Sequence, residues 1–358
     1  MKGVMKYYKI WLPFLSIAIF VGLAELICRV IVLTSHLDTD FKFYINNVDD
    51  DLWERYNVED AFLMWAPKPH YQRGNITINS QGIRDKEYTI QKDKNVFRIL
   101  CLGDSSTFGY GVNLEDTYHS LLEDRLNREF GRTGIRFEVI NAGVTGYTSS
   151  QGLAFYKLKG FKYKPDIVTF YFGINERVHH FYLSDKEIMH HNIPAQIKAA
   201  MEKSLLLKLQ SYRFLRNFLV NIVGIRKNAF RGRVPRVSLA DFQENILELD
   251  RLCKKNGSRL LLISPPLNKQ KDPEGHVLIN IEIAFYKALL KNVARDYQIP
   301  LIEIPEMTEE SPLDTAPFFS DTVHPSPLGH RVIMEKLYQY LTTHAMLPNS
   351  PPRTNQAN

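Results

Sequence analysis

Val96-Phe97-Arg98-Ile99-Leu100-Cys101-Leu102-Gly103-Asp104-Ser105-Ser106-Thr107-Phe108-Gly109 is the stretch on which the reading of this 358-residue chain turns. Val96 to Leu102 is a short, mostly apolar run closed by a glycine, the pattern of a strand buried on both faces. The residues that follow are turn formers. A serine at such a strand-to-helix turn sets its hydroxyl over the sheet edge, beside the unpaired N–H groups of the helix that begins there. Alone, the Gly-Asp-Ser triplet says little, because serine in this position is more often a helix cap than a reacting group. Two other motifs are missing nearby: there is no Gly-x-Ser-x-Gly elbow, and Gly109-Tyr110-Gly111 lacks the third glycine of a dinucleotide fingerprint.

Outward from this stretch, short apolar runs alternate with segments of helical periodicity. Strands are predicted at Phe137 to Ile140, Asp166 to Phe172, Arg259 to Ser264 and Leu301 to Ile304. Helices are predicted at Tyr118 to Phe130, Ser149 to Leu158, Leu239 to Lys255, Ile279 to Tyr297 and Pro327 to Leu341. Such alternation specifies a parallel sheet covered on both faces. Ligands of these sheets bind beyond the carboxyl ends of the strands. Asn141-Ala142-Gly143-Val144-Thr145-Gly146 follows the second strand, Gly173-Ile174-Asn175-Glu176 the third, and Asp321-Thr322-Val323-His324-Pro325 the fifth. A serine hydroxyl is a poor nucleophile until a neighbouring base accepts its proton. Aspartate and histidine three apart on one turn can face each other and leave the second imidazole nitrogen for a serine.

In these four blocks, in this order and each behind a predicted strand, the chain resembles the SGNH hydrolases, also called the GDSL family. The resemblance covers roughly Arg98 to Leu341. It implies an α/β fold, the flavodoxin-like three-layer α/β/α sandwich around a five-stranded parallel sheet. It further implies that Ser105 is the nucleophile, His324 its base, and Asp321 the residue that holds the imidazole tautomer. The Ser105 N–H, the Gly143 N–H and the Asn175 side-chain amide would be the oxyanion donors, and no metal or cofactor would be needed. Asp104 would cap the turn, and Ser106 would be a neighbour of the nucleophile. One departure stands out: the family's usual Gly-x-Asn-Asp is Gly173-Ile174-Asn175-Glu176 here, which leaves the support of that loop open.

Ahead of this region, Ile10 to Leu33 is almost wholly apolar. Its about 24 residues, at 1.5 Å each, are long enough to cross a bilayer core. Lys2, Lys6 and Lys9 precede it, while Asp38, Asp40 and Asp49 to Asp51 follow. The positive-inside rule then places the N-terminus in the cytoplasm and the rest of the chain outside. Glu-Leu-Ile-Cys-Arg stands where a signal-peptide cleavage site would need small residues, so the segment reads as an uncleaved single-pass anchor.

The net charge of +6, with charged residues at 23%, is only mildly basic, and no focused basic face runs through the core segments, which argues against nucleic acid as a partner. Cys28, Cys101 and Cys253 lie far apart in apolar stretches and read as buried thiols. His179, His180, His190 and His191 form two adjacent pairs without supporting carboxylate or cysteine spacing, so they read as surface or cleft residues.

The expected organisation is therefore a cytoplasmic N-terminus and anchor over 1–33, an irregular linker or accessory segment over 34–94, a catalytic domain over 95–345, and a disordered tail over 346–358. Within the domain, about 177–237 breaks the alternation. Lys203 to Ala240 holds no acidic residue but carries Lys203, Lys208, Arg213, Arg216, Arg226, Lys227, Arg231, Arg233 and Arg236. This insertion reads either as a helical pair with a solvated basic face, or as a lid, a membrane-surface element or a site for an acidic substrate. The expected activity is cleavage of O-acyl esters, such as acetyl groups on cell-envelope or secreted glycans, through an acyl-Ser105 intermediate. Acyl transfer to a sugar hydroxyl and lipid ester hydrolysis share the same motifs. A non-catalytic assembly role would not need the full set of site residues.

Overall fold

The computed structural model describes residues 2–35, 56–60, 62–180, 184–190, 209, 211–212, 234–267, 270–271, 277–278, 281–304 and 318–348. The chain divides into two compact units. One comprises Met1–Val48, Phe181–Leu183 and His190–Arg233, the other Asp49–His180, Ser184–Met189 and Val234–Asn358.

In the first unit, helix α1 runs over Lys2–Ser35. Its described side chains lie between Pro13 and Ile31, and Leu15, Ile17, Ile19, Phe20, Leu23, Leu26 and Ile27 among them are exposed. Among the described residues no helix is long and apolar enough to cross a membrane. The span expected over Ile10 to Leu33 therefore rests on the sequence pattern.

The second unit opens with two small antiparallel ribbons, β1 (Asn57–Asp60) with β2 (Met64–Pro67) and β3 (Gln72–Arg73) with β4 (Ile76–Thr77). There follow β5 (Val96–Gly103), α2 (Ser105–Phe108), α3 (Tyr118–Phe130), β6 (Arg136–Gly143), α4 (Ser149–Leu158), β7 (Ile167–Tyr171), β8 (His179–His180) and α5 (Asp185–His190). The chain then continues through β9 (Val234–Pro235), α6 (Leu239–Lys255), β10 (Arg259–Ser264), β11 (Gln270–Lys271), β12 (Val277–Leu278), α7 (Ile281–Asp296), β13 (Leu301–Glu303) and α8 (Pro327–Thr343).

Five of these strands form one parallel sheet in the order β13-β10-β7-β5-β6. Successive side chains of a strand point to opposite faces. On one face Ile99 and Cys101 join Leu122 and Leu126 of α3 and Ile333, Leu337 and Leu341 of α8 in a buried cluster. On the other, α4 and α6 pack together, and α7 packs beside α6. The result is the three-layer α/β/α sandwich of flavodoxin-like strand order, with the order reversing at β5. The turns leaving β5, β6 and β7 therefore meet at the switch point, where such sheets bind ligands.

Local sequence sets the element ends. Thr148 and Gln151 form a reciprocal capping box at α4. Ser238 caps α6, and Ser326 with Pro327 starts α8. β6 extends three residues past its predicted end because Asn141 to Gly143 continue the ladder opposite Cys101 to Gly103. Arg98, polar within an otherwise apolar strand, is fully buried opposite Glu138, with Nε to Oε2 at 2.6 Å. Its remaining donors reach the carbonyls of Thr89, Ile90 and Tyr163, which satisfies a charge that would otherwise be costly inside.

The linker expected over 34–94 is, from Tyr56 onward, part of the core. Tyr56, Leu63, Trp65, Ile78, Ile83, Arg84 and Tyr88 are all buried. Residues 36–55 lie outside the described residues. At the other end, Met346 and Leu347, assigned above to a disordered tail, are buried against the cluster under α8, while 349–358 lie outside the described residues. Cys101 and Cys253 are buried and Cys28 is half-buried.

Candidate active site

Ser105 is the first residue of α2. Asp104 caps this helix with Oδ1 accepting from the Ser106 N–H at 2.8 Å, and Gly109 ends it in the left-handed region at φ 83°. Burial pushes the Asp104 carboxyl up to about 7, with the charge of Glu176 adding to the effect. The histidine arrives from the segment before α8. Asp321 Oδ1 accepts from the N–H groups of Val323 and His324, both at 2.8 Å, and so closes a tight turn. Within it, His324 Nδ1 lies 2.6 Å from Asp321 Oδ2, and His324 Nε2 lies 2.8 Å from Ser105 Oγ. Partial burial would raise the Asp321 carboxyl, but the two backbone N–H groups and the imidazole outweigh it and hold it below its ordinary range. An ionised Asp321 accepts the proton of Nδ1 and leaves the lone pair of Nε2 for the serine hydroxyl. Tyr110 packs on the imidazole, ring centres 4.6 Å apart. Ser106 is buried, and His324 reaches its neighbour instead.

Gly143 departs from its expected role. Its N–H donates to Asn141 Oδ1 at 3.0 Å. A Cβ on Gly143 would stand 2.3 Å from the Phe108 nitrogen and 2.6 Å from the Thr107 carbonyl carbon. Glycine is required here for close approach of β6 to α2. The block contains two glycines, and only the path of β6 separates their roles. Beyond Gly143 the chain makes a tight turn, with Tyr147 N–H donating to Val144 O at 3.1 Å and Gly146 at φ 75°. Asn175 joins the same turn, its Nδ2 donating to Tyr147 O at 3.0 Å. That amide nitrogen carries a second proton.

Glu176 accounts for the departure from Gly-x-Asn-Asp. It is fully buried and bridges two loops: Oε2 accepts from Gly173 N–H at 2.9 Å and Oε1 from Ser149 N–H, the first residue of α4, at 2.7 Å. Gly173 sits at φ 127°, a conformation few other residues adopt. The carboxylate thus ties the loop bearing Asn175 to the start of α4.

Three further residues escaped the sequence reading. Arg84, buried, donates to the carbonyls of Phe108, Gly109, Val112 and Asn75, gathering the end of α2 and the loop after it. Trp65 Nε1 donates to Thr145 O at 3.1 Å. Arg236, counted above with the solvated basic face, is 2% exposed and paired with buried Asp185. It belongs to the neck of the insertion, where β8 and β9 pair and Arg236 N–H donates to Val178 O. Residues 191–208, 210 and 213–233, which hold the other expected cations, lie outside the described residues, as does His191. His179 and His180 form β8. Among the described residues no group of three or more histidines, cysteines or acids is placed to hold a metal ion.

Behind the site, His330 of α8 is fully buried, its Nδ1 accepting from Tyr118 N–H at 3.2 Å. Burial, with the nearby charges of His119, Arg84 and His324, lowers its pKa to about 3. The unfolded chain takes up this proton near pH 6.5 and the folded chain does not until about pH 3, so folding loses stability as pH falls through that window. Thermal unfolding of wild type and His330→Asn between pH 7 and 4 should show wild type losing up to roughly 1.4 kcal/mol per pH unit relative to the variant. Parallel pH profiles would overturn this assignment.

The sandwich and the Ser–His–Asp chain at its switch point define a hydrolase of the α/β class. The chain belongs to the GDSL-like lipase/acylhydrolase family, whose sequence pattern it matches over residues 101–332, and it is an ester-cleaving enzyme. Among solved structures it is similar to the acetyl xylan esterase AlAXEase, at 16% identity over 68% of this chain and 98% of that one, with a TM-score of 0.44. A protein of the G-D-S-L family from Desulfitobacterium hafniense DCB-2 matches at 16% identity over 68% of this chain and 99% of that one, with a TM-score of 0.41. Axe2, an acetylxylan esterase from Geobacillus stearothermophilus, matches at 16% over 68% and 94%, with a TM-score of 0.42. No curated protein sequence matches the chain.

Proposed function

We propose that the protein is a membrane-anchored serine esterase that removes O-acyl groups, acetyl among them, from cell-envelope or secreted glycans through an acyl-Ser105 intermediate. The observation that carries this reading is the continuous chain from Asp321 through His324 to the Ser105 hydroxyl, at 2.6 and 2.8 Å. Ser105 Oγ attacks the ester carbonyl carbon while His324 Nε2 takes its proton. The resulting oxyanion is held by the Ser105 N–H, the second Asn175 amide proton and the Gly146 N–H, which takes the place first given to Gly143. The imidazolium then protonates the leaving alkoxide, and the acyl group stays on Ser105. Water then attacks the acyl carbon as it loses a proton to His324; the acyl–Oγ bond breaks, the carboxylic acid leaves, and His324 returns that proton to Ser105 Oγ. Side-chain exposures of 46% for Asp321 and 19% for His324 leave the histidine reachable from solvent, as the entry of water in the second step requires.

Full-length protein in detergent should release acetate from acetylated glycan faster than fatty acid from phospholipid. The reverse preference would move the substrate to lipids, and acyl groups recovered on added glycan rather than in water would make the enzyme a transferase.

The exposed apolar side chains of α1 support the anchor, as does the pairing of Glu25 with Arg29 one turn on, at 2.8 Å, which offsets the two charges within the segment. The lysines before it support an orientation with the catalytic unit outside the cytoplasm. The full chain should stay with the membrane pellet after alkaline carbonate extraction; its release into the supernatant would overturn the anchor.

A further inference from the structure

Gly146 has no side chain to restrict its backbone, so something else must fix the direction of its N–H. The peptide before it carries the Thr145 carbonyl and the Gly146 N–H, which point opposite ways in a trans peptide. Trp65 Nε1 holds that carbonyl at 3.1 Å. The peptide after it carries the Gly146 carbonyl, which accepts from an Arg236 terminal nitrogen at 2.6 Å. The two planes that define φ and ψ of Gly146 are therefore each gripped by one buried side chain. These side chains also pack on each other, the Arg236 guanidinium carbon lying 5.3 Å from the Trp65 ring centre.

The grip of Arg236 is itself fixed. Its Nε donates to Asp185 Oδ1 at 3.1 Å, and its other terminal nitrogen donates to Asp185 Oδ2 and Gln151 Oε1, both at 2.8 Å. Asp185 Oδ2 also accepts from Thr148 Oγ1 at 2.7 Å. The two residues are joined through the backbone as well, since the N–H of Asp185, at the start of α5, donates to Arg236 O at 2.7 Å. A planar fork can hold Asp185, Gln151 and a carbonyl at once, which a lysine ammonium on its flexible stem cannot.

We propose that Arg236 is a positioning residue for ester cleavage: with Trp65 it fixes the peptide planes on either side of Gly146, so that the N–H of this turn is aimed at the oxyanion before substrate arrives. The inference rests on the esterase reading above. Donors preorganised in this way act on the transition state and leave ground-state binding nearly untouched.

The test uses full-length protein with p-nitrophenyl acetate as substrate and phenylboronic acid, which becomes tetrahedral on a serine oxygen, as inhibitor. Arg236→Met should lower kcat by about 10²-fold with KM within about twofold, and weaken the boronate by a factor matching the loss in kcat/KM. Arg236→Lys and Trp65→Phe should each lower kcat about tenfold with the same pattern. A cooperative thermal transition above the assay temperature shows that each variant is folded, and a variant that fails this leaves the decision to the other two. Wild-type protein that neither turns over ester nor binds boronate would overturn the esterase reading. Active wild type with folded variants whose kcat and boronate affinity stay within about twofold would overturn the role of Arg236, as would a rise in KM that accounts for the whole loss.

Discussion

Ser105→Ala will lose ester turnover by roughly 10⁴-fold or more, and His324→Ala will lose about as much, while the double variant will be little worse than either alone. The reason is that Ser105 Oγ, His324 Nε2 and Asp321 Oδ2 form one hydrogen-bonded chain, so removing any link disables the proton transfer that activates the hydroxyl. Asp321→Asn keeps the size of the side chain but makes the imidazole adopt the wrong tautomer, and should cost on the order of 10⁴-fold in kcat. Initial rates on p-nitrophenyl acetate, with labelling of the serine by a fluorophosphonate, measure all of these. Ser105→Ala retaining a hundredth of wild-type turnover would remove Ser105 from the mechanism and send attention to Ser106.

Gly143→Ala should be damaging out of proportion to the single methyl group it adds. Its new methyl group would meet backbone atoms of α2, the Phe108 nitrogen and the Thr107 carbonyl carbon, which cannot rotate aside. Either β6 or the nucleophile helix must move. Overpacking of this kind costs about 3 kcal/mol, and an ångström of displacement at Ser105 costs about 10²-fold in rate. Gly146→Ala offers a contrast: it is strained by φ 75° but retains the N–H, so it should lose stability mainly through the backbone term of about 1–2 kcal/mol. Thermal melts and steady-state kinetics of the pair distinguish the two glycines. A Gly143→Ala protein with wild-type midpoint and rate would contradict the close packing of β6 on α2.

How much of this was legible beforehand depends on the kind of signal each part leaves. The sheet was legible because burial on both faces makes each strand a short apolar run, and α3, α4 and α6 span the residues expected of them from helical periodicity. Ser105, Asn175, Asp321 and His324 were legible as a set because each follows a strand of one sheet. Gly143 was misassigned because a block with two glycines does not reveal which amide is already bonded. Arg84, Trp65 and Arg236 act by donating to main-chain carbonyls distant in sequence, a contact with no periodicity and no fixed spacing. Arg236 was further hidden by its company, as one more cation in a basic run, and Glu176 by seeming a mere substitution for aspartate.

The pairing of His179 with Pro235 and His180 with Val234 brings the two ends of the insertion side by side on the sandwich. Because loop-closure entropy grows only slowly with length, about 0.6 kcal/mol per doubling, chain between these ends is thermodynamically cheap to lengthen, shorten or exchange. The neck is in this sense a splice site: a reporter or a foreign binding module grafted between His180 and Val234 would inherit a paired mount beside the buried Arg236–Asp185 ion pair, without any strand of the parallel sheet being altered.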